Sequence, residues 1–521
     1  MKPFDASGSF RPAAEGGHLR SLAARGAGVT IFSQGVSFGV QVVSTVVLAR
    51  LLTPSDFGLV AMVTTFSLLL INFGLNGFTE AVIQQEKIDQ TVVSNLFWIN
   101  LGVSLLLTGG FAAAGSLLAR FYGEPRVAHV AAGMSLTIVI TSTSVLHLAL
   151  LKRALRFSIV SANDIFASVV SLSVSIILGW KGWGYWALVA GAIAQPMATS
   201  IGAWFLCRWV PSLPQRVAGT ASMVRFAFNV YSRFSINYLA RNVDNLLVGW
   251  RFDAQSLGFY KKAYDLFALQ ASRLVSPLTV VAVSALSRLK RDSIQYKQCL
   301  LSALAVVAFV GMGLAGDLTL IGKDVIGLLL GPGWEPAGRI FTFFGPGIGV
   351  MLLYNTQGWI HLSIGRADRW FRWSVVEFIV TGLLFLLGLR WGPAGIAIAW
   401  TASFWILTLP ALWYAARPIR LGIAPIITAV WRYPLASLLA SCASAAISRG
   451  IPLLAAASGS VGAALRIALI SLLFGILYLA AVVLLHQGCA PLYQVAGLLR
   501  EMAPSRWFSR RSDQLAPRPA A

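Results

Sequence analysis

Charge is scarce in this chain, and acidic charge scarcest. Asp, Glu, Lys and Arg together make up 12% of its 521 residues, with only 19 acids. That is about half the charged fraction of an ordinary soluble domain, which excludes a conventional soluble globular protein. There are four cysteines, Cys207, Cys299, Cys442 and Cys489, and none is spaced to another as a metal-binding pair. The five histidines are scattered. No disulfide framework or zinc site follows, and neither a metal nor a cofactor is expected. No GxxxxGK[ST] loop occurs, so the chain carries no ATPase of its own. Long polar connectors are missing too, the longest being under about 20 residues. A membrane glycosyltransferase or ligase needs an external loop large enough to bring an acid or base to an activated sugar. The connectors argue against that class and against any enzyme.

What the chain has instead is apolar length. Hydrophobic residues make up 57% of it. Runs of about 20 apolar residues recur, each able to cross a bilayer core. They are too evenly apolar for barrel strands, which would alternate. The class is an all-α polytopic membrane protein. Fourteen spans are expected, at about 27–49, 57–79, 93–118, 128–150, 159–179, 185–207, 223–249, 263–286, 299–321, 339–362, 371–389, 394–416, 424–447 and 464–486. The first run is too long for a signal-peptide core and has no clear cleavage site after it, so it is read as span one. With the N-terminus in the cytoplasm, 26 of the 41 Lys and Arg residues fall on the cytoplasmic side, 12 on the other, and Arg233, Arg241 and Arg273 inside spans. This asymmetry predicts both termini inside. The net charge of +22 is spread over short loops and two tails. It orients helices and meets anionic lipid headgroups, and it forms no compact basic domain for nucleic acid.

A weak internal repeat is visible. Gly58, in "LLTPSDFGLVAM", falls in register with Gly258, in "RFDAQSLGFYKKAY", at an offset of 200. "GWKGWGYWALV" matches "LRWGPAGIAIA" at an offset of 210, with Gly182 over Gly392. The expected organisation is a tail (1–26), an N-lobe of spans 1–6 (27–210), a C-lobe of spans 7–12 (211–420), an extra helix pair (421–490) and a basic cytoplasmic tail (491–521). Each six-helix lobe starts on the same side, so the lobes are parallel repeats about a pseudo-twofold axis along the membrane normal.

Four stretches, "LARLLTPSDFGLVAM", "FGLNGFTEAVIQQ", "RNVDNLLVGWRFDAQSLGFYKKAY" and "LLLGPGWEPAGRI", resemble the Wzx-type polysaccharide flippases of the multidrug/oligosaccharidyl-lipid/polysaccharide exporter superfamily, in the colanic-acid-exporter-like branch. The resemblance runs over roughly residues 25–420. It implies two six-helix lobes around a central cavity, alternating access, and a lipid-linked oligosaccharide as substrate. A bacterial inner membrane is the implied location. A polysaccharide polymerase and glycosyltransferases are the implied partners.

Span seven supplies the candidate cavity residues. Arg225, Asn229, Arg233, Asn237 and Arg241 recur every four residues, each step turning about 40° around the helix, and Asp244 lies within the same arc. Charge at the bilayer centre costs about 2.5–3.5 kcal/mol, so these groups should face a wet cavity or a partner. A diphosphate-linked lipid suits arginine, whose fork grips phosphate oxygens in pairs. The competing reading is a structural ion pair between Arg241 and Asp244. Gln34 and Gln41 in span one share a face. Asn72, Asn76 and Glu80 do so in span two, and Asn355 sits in span ten beside Tyr354 and Gln357. The bland alternatives are helix–helix hydrogen bonding for Gln34 and Gln41, solvation at the cytoplasmic end of the span for Glu80, and packing for Asn355, Tyr354 and Gln357. Asp265 and Arg273 are candidate partners for the span-seven charges, and Glu377 is an isolated acid in span eleven. Trp180, Trp183, Trp186, Trp391 and Trp413 read as interfacial anchors.

Without an ATPase, the drive must be an ion gradient, downstream polymerisation, or both. Asp244 and Glu80 are the acids to test for H+ or Na+ coupling. A small-molecule or drug exporter of the same fold is the main alternative function. A cation-drug exporter would need an acidic cavity where this chain offers a basic one.

Overall fold

The computed structural model describes residues 3–5, 7–10, 19–85, 88–217, 219–451, 459–489 and 492–493. The expected basic tail, 491–521, lies outside the described residues except for Leu492 and Tyr493, as do Lys87 and most of the polar N-terminal stretch. The chain forms two compact units, each built from separated stretches. The first comprises Met1–Tyr264, Ile326–Ile340 and Gly382–Ala397; the second comprises Asp265–Val325, Phe341–Thr381 and Ile398–Ala521.

The first unit holds α1 (Leu19–Leu51), α2 (Pro54–Asn72), α3 (Thr79–Gln84), α4 (Gln90–Tyr122), α5 (Arg126–Arg153), α6 (Phe157–Trp180), α7 (Tyr185–Cys207), α8 (Thr220–Arg251) and the start of α9 (Ala254–Arg288). The most enclosed of these is α5, which packs against α2, α4 and α7 and buries Val130, Ala131, Leu146 and Ala149 completely. One face of α5 stays open at Ala132 and Leu136, and its many Ser and Thr hydroxyls, such as those of Thr137 and Ser142, are satisfied by carbonyls of the preceding turn. Short local signals set the helix ends. Thr53 caps α2 through a capping box with Asp56, and Pro54 opens the helix where its missing N–H is harmless. Gly123 ends α4 at φ +67°, in the left-handed region.

Two differences from the sequence expectation have physical reasons. Helix α1 starts at Leu19, ahead of the apolar run expected to begin near 27, because a helix can continue past the apolar stretch that crosses the membrane. The described part of the N-terminal tail is folded onto the unit. Phe4 is buried against Phe10 and Trp209, and the guanidinium of Arg153 lies over the Phe10 ring while donating to the carbonyl of Val82 at 2.7 Å. An aromatic side chain in an otherwise polar tail is what makes this docking possible.

The second unit holds the rest of α9, most of α10 (Ser293–Leu330) and of α11 (Glu335–Asn355), then α12 (Gln357–Ile364), parts of α13 (Ala367–Gly388) and α14 (Gly392–Ala416), α15 (Ile423–Val430), α16 (Arg432–Arg449) and α17 (Gly459–His486). The appended α16 and α17 pack on each other and are tied to α10 by polar contacts. Ser437 donates to the carbonyl of Met312 at 2.7 Å and Tyr478 to that of Phe309 at 2.6 Å, while Arg466 pairs with Asp324 at 2.6 Å. Apolar attraction between helices is weak in lipid, so hydrogen bonds of this kind hold a pair in place.

Eleven helical stretches among the described residues are long and apolar enough to cross a membrane. One of them, Asp368–Ile419, contains nearly all of α13 and the whole of α14. Helices α8 and α9 are not among the eleven. Charge recurs along α8 at Arg225, Arg233, Arg241 and Asp244, whereas the charges of α9 gather mainly in its first third, at Lys261, Lys262 and Asp265, and much of the helix beyond them lies outside the residues whose side chains are described. The protein is a multi-pass helical membrane protein. Fourteen spans follow only if α8 and α9 are counted as spans and α13 and α14 are counted separately.

Candidate functional site

The first unit brings the two repeated segments into contact. A β-carbon added to Gly58 would lie 1.6 Å from the Ala254 carbonyl oxygen and 2.8 Å from the Gly258 nitrogen. One added to Gly258 would lie 1.9 Å from the Pro54 carbonyl oxygen and 3.2 Å from the Gly58 nitrogen. Residues 54 and 58 therefore meet 254 and 258 reciprocally, as positions related by a twofold axis do. Both helix starts are fixed by an oxygen three residues upstream of an amide: the Thr53 hydroxyl accepts from Asp56, and the Asp253 carboxylate accepts from Ser256 at 2.7 Å. Trp334 closes the contact. It is 1% exposed, sits edge-on to both Phe57 and Phe259, and donates its indole N–H to the carbonyl of Ala49 at 3.0 Å.

Beyond this contact, α8 carries the candidate charges. Asp244 is 2% exposed, and its Oδ2 accepts from the Tyr260 hydroxyl at 2.8 Å. Among the described residues its Oδ1 has no hydrogen-bond partner, nor does Oδ1 of the neighbouring buried Asn245. Arg241 is exposed and has no hydrogen-bond or ion-pair partner among the described residues. The acid and the arginine of the expected pair thus point to different surroundings. Asp244 is enclosed against Tyr260 rather than lining the same surface as Arg241. Arg233 and Asn237 lie on α8, but their side chains are outside the described residues.

Span two contains a distortion that the sequence reading did not foresee. Between α2 and α3 the backbone widens into a π-helical turn over Phe73–Phe78. Asn76 donates to Asn72 at 2.9 Å and Asn72 to the carbonyl of Leu68 at 2.7 Å, so the two amides do share a face. A π-turn closes on i+5 instead of i+4, which interrupts the count that put Glu80 on that face. Such turns occur mostly as single bulges inside α-helices, and frequently at functional sites. Here a β-carbon added to Gly74 would lie 2.6 Å from the Asn100 side-chain oxygen, and one added to Gly77 2.7 Å from the Ala227 carbonyl oxygen of α8. Phe73 meets Tyr231 of α8 edge-on at 5.0 Å. Gln34 and Gln41 are exposed on α1. Asn355 belongs to the second unit, half-buried at the joint between α11 and α12. There Trp373 donates to the Tyr354 hydroxyl at 2.9 Å, and Tyr354 is hydrogen-bonded to Glu377. Glu377 is therefore not isolated. Trp180, Trp183 and Trp391 are 79%, 56% and 70% exposed, as anchors at the membrane surface would be.

A model of a family described as "Polysaccharide biosynthesis protein" matches residues 47–339, from the end of α1 into α11. The chain belongs to this family. Its relatives include the succinoglycan biosynthesis transport protein ExoT of Rhizobium meliloti (strain 1021), 21% identical over 68% of this chain and 72% of the relative. The teichuronic acid biosynthesis protein TuaB of Bacillus subtilis (strain 168) is 24% identical over 69% and 75%. The lipopolysaccharide biosynthesis protein WzxC of Escherichia coli (strain K12) is 21% identical over 77% and 82%. Among solved structures, the lipid II flippase MurJ in an inward closed conformation superposes with a TM-score of 0.71, covering 89% of this chain and 99% of MurJ at 14% identity. An inward-facing multidrug resistance MATE transporter superposes at 0.58, covering 73% and 94% at 10% identity. The fold is the one expected from the four sequence stretches, and these two solved structures that share it are a flippase and a transporter.

Tyr260 and Trp334 were missed as site residues in the sequence. Both were in view, in "LGFYKKAY" and "LLLGPGW", but nothing in a helical wheel shows that a tyrosine sixteen residues along the chain folds back on an aspartate. Replacing Tyr260 with Phe removes a side-chain donor to a buried carboxylate. The expected result is a loss of about 1–3 kcal/mol of stability, read as a lower unfolding temperature of the purified protein in detergent. Asp244→Asn, which needs no charged partner, should lose less.

Proposed function

We propose that this protein moves a lipid-linked oligosaccharide, joined to its lipid through a diphosphate, across the bacterial inner membrane by alternating access. Arg241 carries the reading. It stands ten residues before the end of α8, about 15 Å along the helix axis, and half the thickness of a bilayer core is also about 15 Å. An exposed guanidinium at that depth needs water or an anion, not lipid. A diphosphate at the lipid–sugar joint supplies the anion. The family's role in polysaccharide biosynthesis and the flippase-like fold support the same cargo.

In this reading spans 1–6 and 7–12 are two lobes that rock, and the Gly58–Gly258 contact is where they close on the non-cytoplasmic side. Gln34, Gln41, Asn72, Asn76, Arg233, Asn237 and Asn355 are the polar positions offered to sugar and phosphate. Asp244, with one uncommitted oxygen, and Glu80 are the acids through which H+ or Na+ couples to transport. A polymerase and glycosyltransferases act after and before it. The deciding experiment places the gene in a strain lacking its own flippase and measures surface polysaccharide, normalised to membrane protein level. Accumulation of the lipid-linked precursor inside despite normal protein levels would reject the function.

The topology has its own test. Both termini are assigned to the cytoplasm, with fourteen spans. Cysteines placed at the C-terminus should resist membrane-impermeant maleimide in intact cells, and one just after residue 450 should react. A reactive C-terminus would overturn the span count and the lobe division together.

A further inference from the structure

We propose that a groove bounded by α4, the connector between α7 and α8, and the first turns of α8 binds the headgroup of an anionic phospholipid. This site is separate from the transport path. The connector is fixed in place. Asn95 of α4, 6% exposed, donates to the Gln215 carbonyl at 2.6 Å and accepts from the Gln215 amide at 2.9 Å. Ser94 accepts from the Ser212 amide at 3.1 Å, and the Trp98 indole donates to the Ser212 carbonyl at 2.8 Å. The segment joining the two expected lobes is thereby stitched to α4 and forms the wall of a groove of about 1110 Å³.

The lining has two chemistries. Arg216 and Arg225 are exposed, and no Asp or Glu lines the groove. Trp98, Ile99, Val224 and Phe228 give it an apolar wall, with Asn95, Gln215 and Thr220 as its neutral polar members. Phe228 is 56% exposed, and farther along α4 Leu105 and Leu106 are 54% and 77% exposed, as lipid-facing residues are. Cationic heads above a lipid-facing apolar wall fit a molecule with an anionic head and acyl chains. Basic pockets between helices on the cytoplasmic side are where such headgroups bind. The positive-charge asymmetry puts the start of α8 on that side. The groove exceeds the roughly 300–1,000 Å³ of small-ligand pockets and is open-sided, which suits a lipid.

Helical geometry separates this groove from Arg241. Steps of four residues turn about 40° each, so the sixteen residues from Arg225 to Arg241 turn about 160°. The two arginines face nearly opposite sides of α8. The polar positions that looked like one stripe in the sequence are a slow spiral, and its first member belongs to the groove. The inference therefore stands whatever the cargo is.

The test uses the full-length protein purified in detergent, with cardiolipin, phosphatidylglycerol and phosphatidylcholine as probes and native mass spectrometry as the readout. Cardiolipin and phosphatidylglycerol should stay bound where phosphatidylcholine does not. Arg216→Gln with Arg225→Gln should weaken their retention at least about tenfold, each arginine contributing about a factor of five. Arg120→Gln, at the far end of α4 from the groove, should leave retention unchanged. Equal retention of phosphatidylcholine, or no loss in the double variant, overturns the proposal. Should the double variant not fold, a photo-crosslinking residue at Phe228 in the otherwise native chain reads the occupant directly. Capture of anionic phospholipid from membranes supports the site. Capture of polyprenyl phosphate or of zwitterionic lipid in its place overturns it, the former by assigning the groove to cargo.

Discussion

Gly58→Ala and Gly258→Ala should each stop polysaccharide export while leaving the protein in the membrane at normal levels. In the closed contact the added methyl of Gly58→Ala would overlap the Ala254 carbonyl, and that of Gly258→Ala would overlap the Pro54 carbonyl. Both obstacles are backbone, so no side chain can swing aside. Overpacking of this sort costs about 1–3 kcal/mol and sometimes more. One such substitution would shift a balance between closed and open states about tenfold or beyond, since 1.4 kcal/mol is a factor of ten. The protein should then rest with the contact open. Ala254 is 5% exposed, so a cysteine placed there, with the four native cysteines replaced, reports the state. It should be shielded from an impermeant maleimide in the parent and reactive when Gly58→Ala is added. The two glycines fill one contact, so combining both substitutions should add little to either alone. Unchanged labelling together with unchanged export would mean that the contact does not open during transport.

That contact also shows what could be read before the structure. The offset of 200 residues was legible because both segments begin a helix with the same local chemistry: a capping oxygen, a polar turn and a glycine. That the two glycines touch each other was not legible, because a repeat says only that positions are equivalent. The span positions were legible wherever lipid faces the helix and composition must be apolar. They blurred at α8, where Arg225, Arg233, Arg241 and Asp244 break up the apolar run. Asp244 illustrates the limit. Its helical angle places it near Arg241, yet Tyr260, from the next helix, decides its surroundings, and such a tertiary choice leaves no periodic trace. The π-turn at Phe73–Phe78 is likewise invisible to an i,i+4 count. Two glycines inside "FGLNGF" hint that neighbours approach closely, but they do not say that the helix widens.

At Arg241 the expected result is a graded loss that its nearest acid cannot repair. If the guanidinium holds a diphosphate, Arg241→Lys keeps the charge but loses the paired donors, and export should fall. Arg241→Ala should do worse, because a charge-assisted hydrogen bond contributes about 1.5–3 kcal/mol. That is roughly ten- to a hundredfold in binding. Were Arg241 only the counter-ion of Asp244, removing both should restore expression and export together. The structure argues against rescue. Asp244 is bonded to Tyr260 and buried, whereas Arg241 is exposed. Arg241→Ala with Asp244→Ala should therefore be no better than Arg241→Ala alone, and should also lose the buried hydrogen bond to Tyr260. Surface polysaccharide normalised to membrane protein level measures all three variants. Full rescue by the double variant would reduce Arg241 to a structural counter-ion and leave the diphosphate without its proposed ligand.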